Sequence, residues 1–171
     1  MIDAEQLKQL QAPLKAIYAD NPEAAIARLH AVGVVDLNRL ACEIKTPLAV
    51  DEKVVAGLHP KAGGDGHSGC SGDMLLQALV ACSGVTLAAV ATAMGLDISS
   101  VHIEAFGAMD FRGTLGVDRS TPVGLTAINL NFVIESHEPD EKIDKLIQLT
   151  ERYCVVLQTL AHSMPVTSQR G

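Results

Sequence analysis

Aromatic side chains are almost missing from this chain, with no Trp, two Tyr and three Phe among 171 residues. That scarcity argues against modules that bind single-stranded nucleic acid by stacking bases on rings. Positive charge is also short. Thirteen Lys and Arg stand against twenty Asp and Glu, a net charge of −7, so the field of the whole molecule repels phosphate backbones and anionic lipid. No nucleic acid and no membrane partner is expected. The four cysteines, Cys42, Cys70, Cys82 and Cys154, contain no CxxC, which removes zinc ribbons and thioredoxin-type motifs. The segment MIDAEQLKQL lacks the basic and apolar regions of a secretory signal, so a reducing, cytoplasmic setting is expected. Thiol chemistry must then come from cysteines that meet in space.

Aliphatic residues are abundant instead. The chain is 48% hydrophobic with a mean hydropathy of +0.24, so its core is built from Ala, Val, Leu and Ile. Its length suits one domain. Over residues 3–31, Leu7, Leu10, Leu14, Ile17 and Tyr18 recur at helical steps. NPEAAIARLHAVG then predicts a second short helix, capped by Asn21, opened by Pro22 and ended by Gly33. From Val34 to about Leu58 the pattern becomes β-type. Leu40, Cys42 and Ile44 alternate with their neighbours, KVVAGL forms a second run, and a turn near TPLAVDE joins the two.

HPKAGGDGHSGCSGD, residues 59–73, is the clearest loop, with Ser71 or Asp73 as a cap for the helix that follows. Residues 73–95 carry no charge after Asp73. A run of that length can span a bilayer. It has no flanking Lys or Arg and no aromatic belt, and its interior holds Gln77, Ser83, Gly84, Thr86 and Thr92, so the reading is a buried central helix. A helix apolar on every side needs wrapping that 171 residues supply poorly, which points to a second subunit. Residues 100–136 read as three strands, SVHIEAFGAMD, FRGTLGVD and TAINLNFVIES. In the last, Ile128, Leu130, Phe132 and Ile134 alternate with Asn129, Asn131, Val133 and Glu135. Residues 140–161 read as one amphipathic helix with Ile143, Leu146, Ile147, Thr150, Cys154, Leu157 and Ala161 on one face.

Cys82 and Cys154 each fall in the middle of a helix expected to be buried, where cysteine is most often a small hydrophobe. A reactive thiol there needs a nearby cation to lower its pKa, because a mid-helix position gains little from the field at a helix N-terminus. Among the arginines, Arg39 lies on the first strand and is a candidate for reaching a pocket, whereas Arg112 and Arg119 bracket a strand connection and read as solvated. His59, Asp65, His67 and Cys70 crowd one loop, but their spacing matches no standard zinc pattern. The GGDG turn lacks the Lys-Ser/Thr ending of a P-loop. Cys70 reads as an ordinary loop cysteine, Cys42 as core, and His102 with Glu104 as a solvent-facing pair.

The segment GGDGHSGCSGDMLLQALVACSGVTLAAVATAMG, followed by strands and then by ERYCVVLQTLAHSMPV, resembles the OsmC/Ohr family of thiol-dependent hydroperoxide reductases. The resemblance covers about residues 36–168. It implies an α+β OsmC-like fold, two antiparallel sheet segments around a long central buried helix, in an intertwined homodimer. Residues 1–33 then form an N-terminal helical extension and 34–171 the OsmC-like domain. The resemblance further implies that Cys82 is the peroxidatic thiolate, oxidised by an organic hydroperoxide to a sulfenic acid, and that Cys154 resolves it to a disulfide. A dithiol reductant, a lipoyl-protein or a small dithiol, would reopen that disulfide, and no cofactor is implied.

Several family features differ here. The family's Glu ten residues before the peroxidatic cysteine is replaced by Gly72, with Asp73 one residue later. The family's arginine about twenty residues before it has only His59 or Lys61 in its place, and Lys lacks the planar fork of Arg. The family's Cys-Pro on the resolving helix is Cys154-Val155. Asp73, His59, Lys61 and Arg39 are therefore the candidate thiolate-activating or pocket residues. A second reading keeps the fold without the chemistry, as a protein that binds an apolar small molecule or acts as a slow redox sensor.

Overall fold

The structure is a computed structural model that describes residues 3–27, 32–36, 41–45 and 54–170, the strands at 32–36 and 41–45 by their backbone alone. Helix α1 spans Ala4–Asp20. Asp3 and Gln6 open it with reciprocal bonds, the Gln6 N–H donating to Asp3 Oδ1 at 2.8 Å and the Asp3 N–H donating to Gln6 Oε1 at 3.0 Å. The apolar face expected on this helix exists, but no residue of it is buried, and Leu10 remains 62% exposed. The second short helix is corrected to a single 3-10 turn at Pro22–Ala25. Gly33 does not end a helix. It lies inside strand β1, Val32–Asp36, where the β-branched Val32, Val34 and Val35 favour extended backbone.

The chain divides into two compact units. One, residues 25–77 with 106–129, contains a four-stranded sheet in the order β1, β2 (Ala41–Lys45), β3 (Val54–Gly57) and β4 (Gly69–Cys70). The expected β2–β3 hairpin is present and antiparallel, with Ala41 opposite Gly57 and Ile44 opposite Val54, and β1 extends it with Gly33 opposite Ile44. The pairing is antiparallel except at its edge, where β4 runs parallel to β3. The intervening TPLAVDE turn, Leu40, Arg39 and the Cys42 side chain lie outside the described residues.

The middle of the three strands expected over residues 100–136, FRGTLGVD, is not one. It contains a helical turn, α3 (Phe111–Thr114). The Asp110 carboxylate accepts the Arg112 backbone N–H at 3.0 Å and holds the Arg112 guanidinium at 2.6 Å, so the chain turns where a strand would need to extend. Hydrogen bonds from the Arg112 side chain and backbone pull the Asp110 carboxyl down to about 2. Gly113 fits because a Cβ there would meet the Pro122 carbonyl oxygen at 2.5 Å.

The other unit comprises residues 1–24, 78–105 and 130–171. Its frame is helix α2 (Ser71–Met94, which enters this unit at Ala78), strands β5 (Ile98–Met109) and β6 (Leu125–Ser136), and helices α4 (Asp140–Tyr153) and α5 (Val155–Ala161). Helix α2 starts at Ser71, so Asp73 occupies its first turn rather than capping it. By length and composition this helix could cross a membrane. Within the single chain the burial of α2 is one-sided. Leu79, Ser83, Leu87 and Ala91 form one buried stripe at four-residue steps, while Val85 is 73% exposed.

Strands β5 and β6 pair, and the bonds Ser100 to Glu135 and Thr126 to Ala108 set them antiparallel. As the alternation predicts, Ile128, Leu130, Phe132 and Ile134 are the inward, half-buried positions of β6. Phe132 and Ile134 pack on a core of Leu87, Ala91 and Leu146. Leu146 is fully buried, and burying a side chain of that size stabilises the fold by about 1.5–3 kcal/mol.

Candidate functional site

Two helical stripes bring the sulfur chemistry together. Leu146 and Thr150 on α4 and Cys154 just beyond its end follow one another at four-residue intervals and are all fully buried; on α2, Ser83 is equally buried and Cys82 beside it is half-buried. Ser83 Oγ lies 3.4 Å from Cys154 Sγ. The two cysteines are free thiols, and Cys154 is among the groups that lower the pKa of Cys82.

Cys154 is not in the middle of a helix as the periodicity predicts. It stands between α4 and α5 with φ −70° and ψ 108°, an extended conformation that interrupts one helix and begins the next. Its own N–H still donates to the Thr150 carbonyl at 2.9 Å, and its carbonyl accepts the Gln158 N–H at 2.9 Å. The first amides of a new helix have no partner within it. At α5 those amides belong to Val155 and Val156, and both act to lower the pKa of Cys82.

This arrangement sets the acidity of Cys82. Burial pushes the thiol up, but the Val156 amide, the Cys154 thiol, the Val155 amide and the Thr86 hydroxyl all stabilise the thiolate, and together they hold Cys82 below its ordinary value. No charged side chain is among these groups. Among the described residues the groups that lower the Cys82 pKa are backbone and neutral donors, where the sequence leads one to look for a cation. Arg39 lies outside the described residues.

The remaining candidates gather in the other unit. His59, Lys61, Asp73 and Cys70, with Met109 and Phe111, line a cavity of about 170 Å³. His59 Nδ1 accepts the Lys61 backbone N–H at 3.0 Å, which leaves the proton of the neutral ring on Nε2, and the ring stacks on Phe111 with centroids 4.7 Å apart. The loop folds back tightly here, because a Cβ at Gly64 would collide with the Leu58 carbonyl. Arg112 is exposed and paired with Asp110, and Arg119 is exposed. His102 and Glu104 pair at 3.6 Å on the exposed face of β5. Among the described residues no three His, Cys, Asp or Glu side chains gather as a metal site.

Val155 offers a direct test of the amide donors. Its side chain is 66% exposed, it opens α5 at a position where proline is well tolerated, and Cys154 before it already has the extended backbone that proline requires. Val155→Pro therefore removes one N–H and leaves the helix in place. The pH midpoint for alkylation of Cys82 by iodoacetamide is expected to rise by about half a unit to one unit, with unchanged thermal stability. An unchanged midpoint would show that this amide does not support the thiolate.

Comparison with known proteins adds three findings. The family model described as OsmC-like protein matches residues 64–169, which takes in α2, β5, β6, α4 and α5. The crystal structure of an OsmC-like protein from Mycoplasma pneumoniae is similar with a TM-score of 0.64 at 20% identity, covering 79% of this chain and 88% of that one. An organic hydroperoxide resistance protein from Elizabethkingia anophelis is similar with a TM-score of 0.62 at 14% identity, covering 78% and 87%, and one from Legionella pneumophila with 0.61 at 14%, covering 79% and 91%. At these identities the likeness is one of fold. Among curated proteins there is no match.

Proposed function

The chain belongs to the OsmC-like protein family and has its α+β fold, and from that premise we propose that it is a thiol-dependent peroxidase reducing organic hydroperoxides to alcohols. The observation that carries this reading is the Cys82 thiol, held below its ordinary pKa by the Val156 amide, the Cys154 thiol, the Val155 amide and the Thr86 hydroxyl. In the first step the Cys82 thiolate attacks the outer oxygen of ROOH. The O–O bond breaks, Cys82 becomes a sulfenic acid, and RO⁻ takes a proton to leave as the alcohol. In the second, the Cys154 sulfur attacks the Cys82 sulfur, the S–O bond breaks, and hydroxide leaves with the Cys154 proton as water. A dithiol, lipoyl-bound or small, then reduces the Cys82–Cys154 disulfide by exchange and is itself oxidised.

The same reading includes a second copy of the chain over the apolar surface of α2, where Val85 is 73% exposed, and a reducing cytoplasm in which the dithiol is available. A non-catalytic reading draws on a different feature. Leu87, Leu96, Ile98, Val101 and Ile103 line an apolar cavity of about 450 Å³ that suits a small hydrophobic ligand. Thiol counting separates the two. One equivalent of cumene hydroperoxide is expected to consume two thiols per chain, and four intact thiols after that treatment would remove the peroxidase reading.

A further inference from the structure

The buried stripe of α2 holds one polar residue. Leu79, Leu87 and Ala91 are apolar, and Ser83 sits among them with no exposed surface. A hydroxyl buried in such a place costs stability unless it is bonded, and alanine is a better helix former. Its hydrogen bond is to Cys154 Sγ, at 3.4 Å. Either atom can donate across that contact while Cys154 is a thiol; once Cys154 is a thiolate it can only accept, and the Ser83 hydroxyl is then the donor.

We infer that Ser83 is a positioning residue for disulfide closure, holding the Cys154 sulfur toward Cys82 and stabilising the Cys154 thiolate as it forms; this rests on the peroxidase reading. Closure requires Cys154 to lose its proton in a fully buried site, where desolvation opposes the charged form. The proton leaves with the expelled hydroxide as water. The sulfur left behind needs a donor that it does not have to surrender, and the Ser83 hydroxyl supplies it.

Closure can be driven without peroxide. Dithiobis-nitrobenzoate reacts with the Cys82 thiolate to give a mixed disulfide and one coloured thionitrobenzoate. Cys154 then attacks the Cys82 sulfur and expels a second. With Cys42 and Cys70 replaced by serine, the two colour phases report only this pair.

Ser83→Ala is expected to leave the first phase within about twofold, slow the second about tenfold, and raise the pH midpoint of the second by about one unit. Ser83→Thr, which keeps the hydroxyl, is expected to restore both. A second phase unchanged in rate and midpoint in Ser83→Ala would overturn the inference, as would a threonine variant as slow as alanine with the same midpoint. The peroxidase reading fails separately. A chain that closes its disulfide with the aromatic reagent but keeps all thiols against cumene hydroperoxide overturns that reading and leaves the Ser83 result intact.

Discussion

Replacing Cys82 by serine is expected to reduce hydroperoxide turnover to the uncatalysed background, a loss on the order of 10⁴-fold or more. The fold should survive, because Cys82 is half-buried and the packing of α2 rests on Leu79, Leu87 and Ala91 beside it. Serine keeps the hydrogen-bond partners but has no thiolate, so the circular-dichroism spectrum stays and the chemistry goes.

The same site predicts the pH dependence of the unsubstituted chain. Cys82 is held below its ordinary value, so the rate of its reaction with hydroperoxide should reach its plateau at lower pH than that of a free thiol. The linkage has a definite sign. An acid whose folded-state pKa is depressed adds stability in full above its unfolded value, near pH 8.5, and loses it as pH falls through the folded value. Relative to Cys82→Ser, the native chain should therefore gain stability as pH rises through that window. Turnover retained by Cys82→Ser, measured with cumene hydroperoxide and a dithiol, would assign the reaction to another cysteine.

Much of this arrangement can be read in the residue order. Helical spacing from Leu7 to Tyr18, the charge-free run after Asp73, the alternation from Ile128 to Ile134 and the stripe through Leu146, Thr150 and Cys154 each correspond to an element whose position periodicity can fix. What periodicity cannot show is a one-residue interruption. ERYCVVLQ contains no Gly or Pro, and the buried stripe runs unbroken up to Cys154, so the end of α4 leaves no mark in the pattern. FRGTLGVD was a different case. Asp110 two residues before Arg112, with Gly113 and Gly116 following, is turn chemistry that the apolar Phe111, Leu115 and Val117 mask.

The groups that act on Cys82 are hidden for a deeper reason. Every non-proline residue carries an amide, so no composition or spacing identifies the two, at Val155 and Val156, that are free to donate to a sulfur. A search for activating side chains turns instead to Lys61, His59 and Asp73. These do assemble, around the cavity with Cys70, since all four residues fall within one short loop and the helix start that follows it. Only the fold shows that these groups come from the helix interruption after α4.

Cys154→Ser is expected to separate the two chemical steps. The Cys154 side chain is fully buried, and serine is slightly smaller and still offers a proton to the Cys82 sulfur, so attack on the hydroperoxide should stay within about threefold of the native rate. Disulfide closure is then impossible, because the attacking sulfur is gone. One equivalent of cumene hydroperoxide should consume one thiol per chain instead of two, leaving a Cys82 sulfenic acid that dimedone traps and mass spectrometry counts. A second equivalent should carry it to the sulfinic acid, which thiols do not reverse, so the variant inactivates during turnover where the native chain does not. Loss of two thiols per chain in Cys154→Ser, with a new disulfide in the peptide map, would instead identify another cysteine as the resolving group and remove Cys154 from the mechanism.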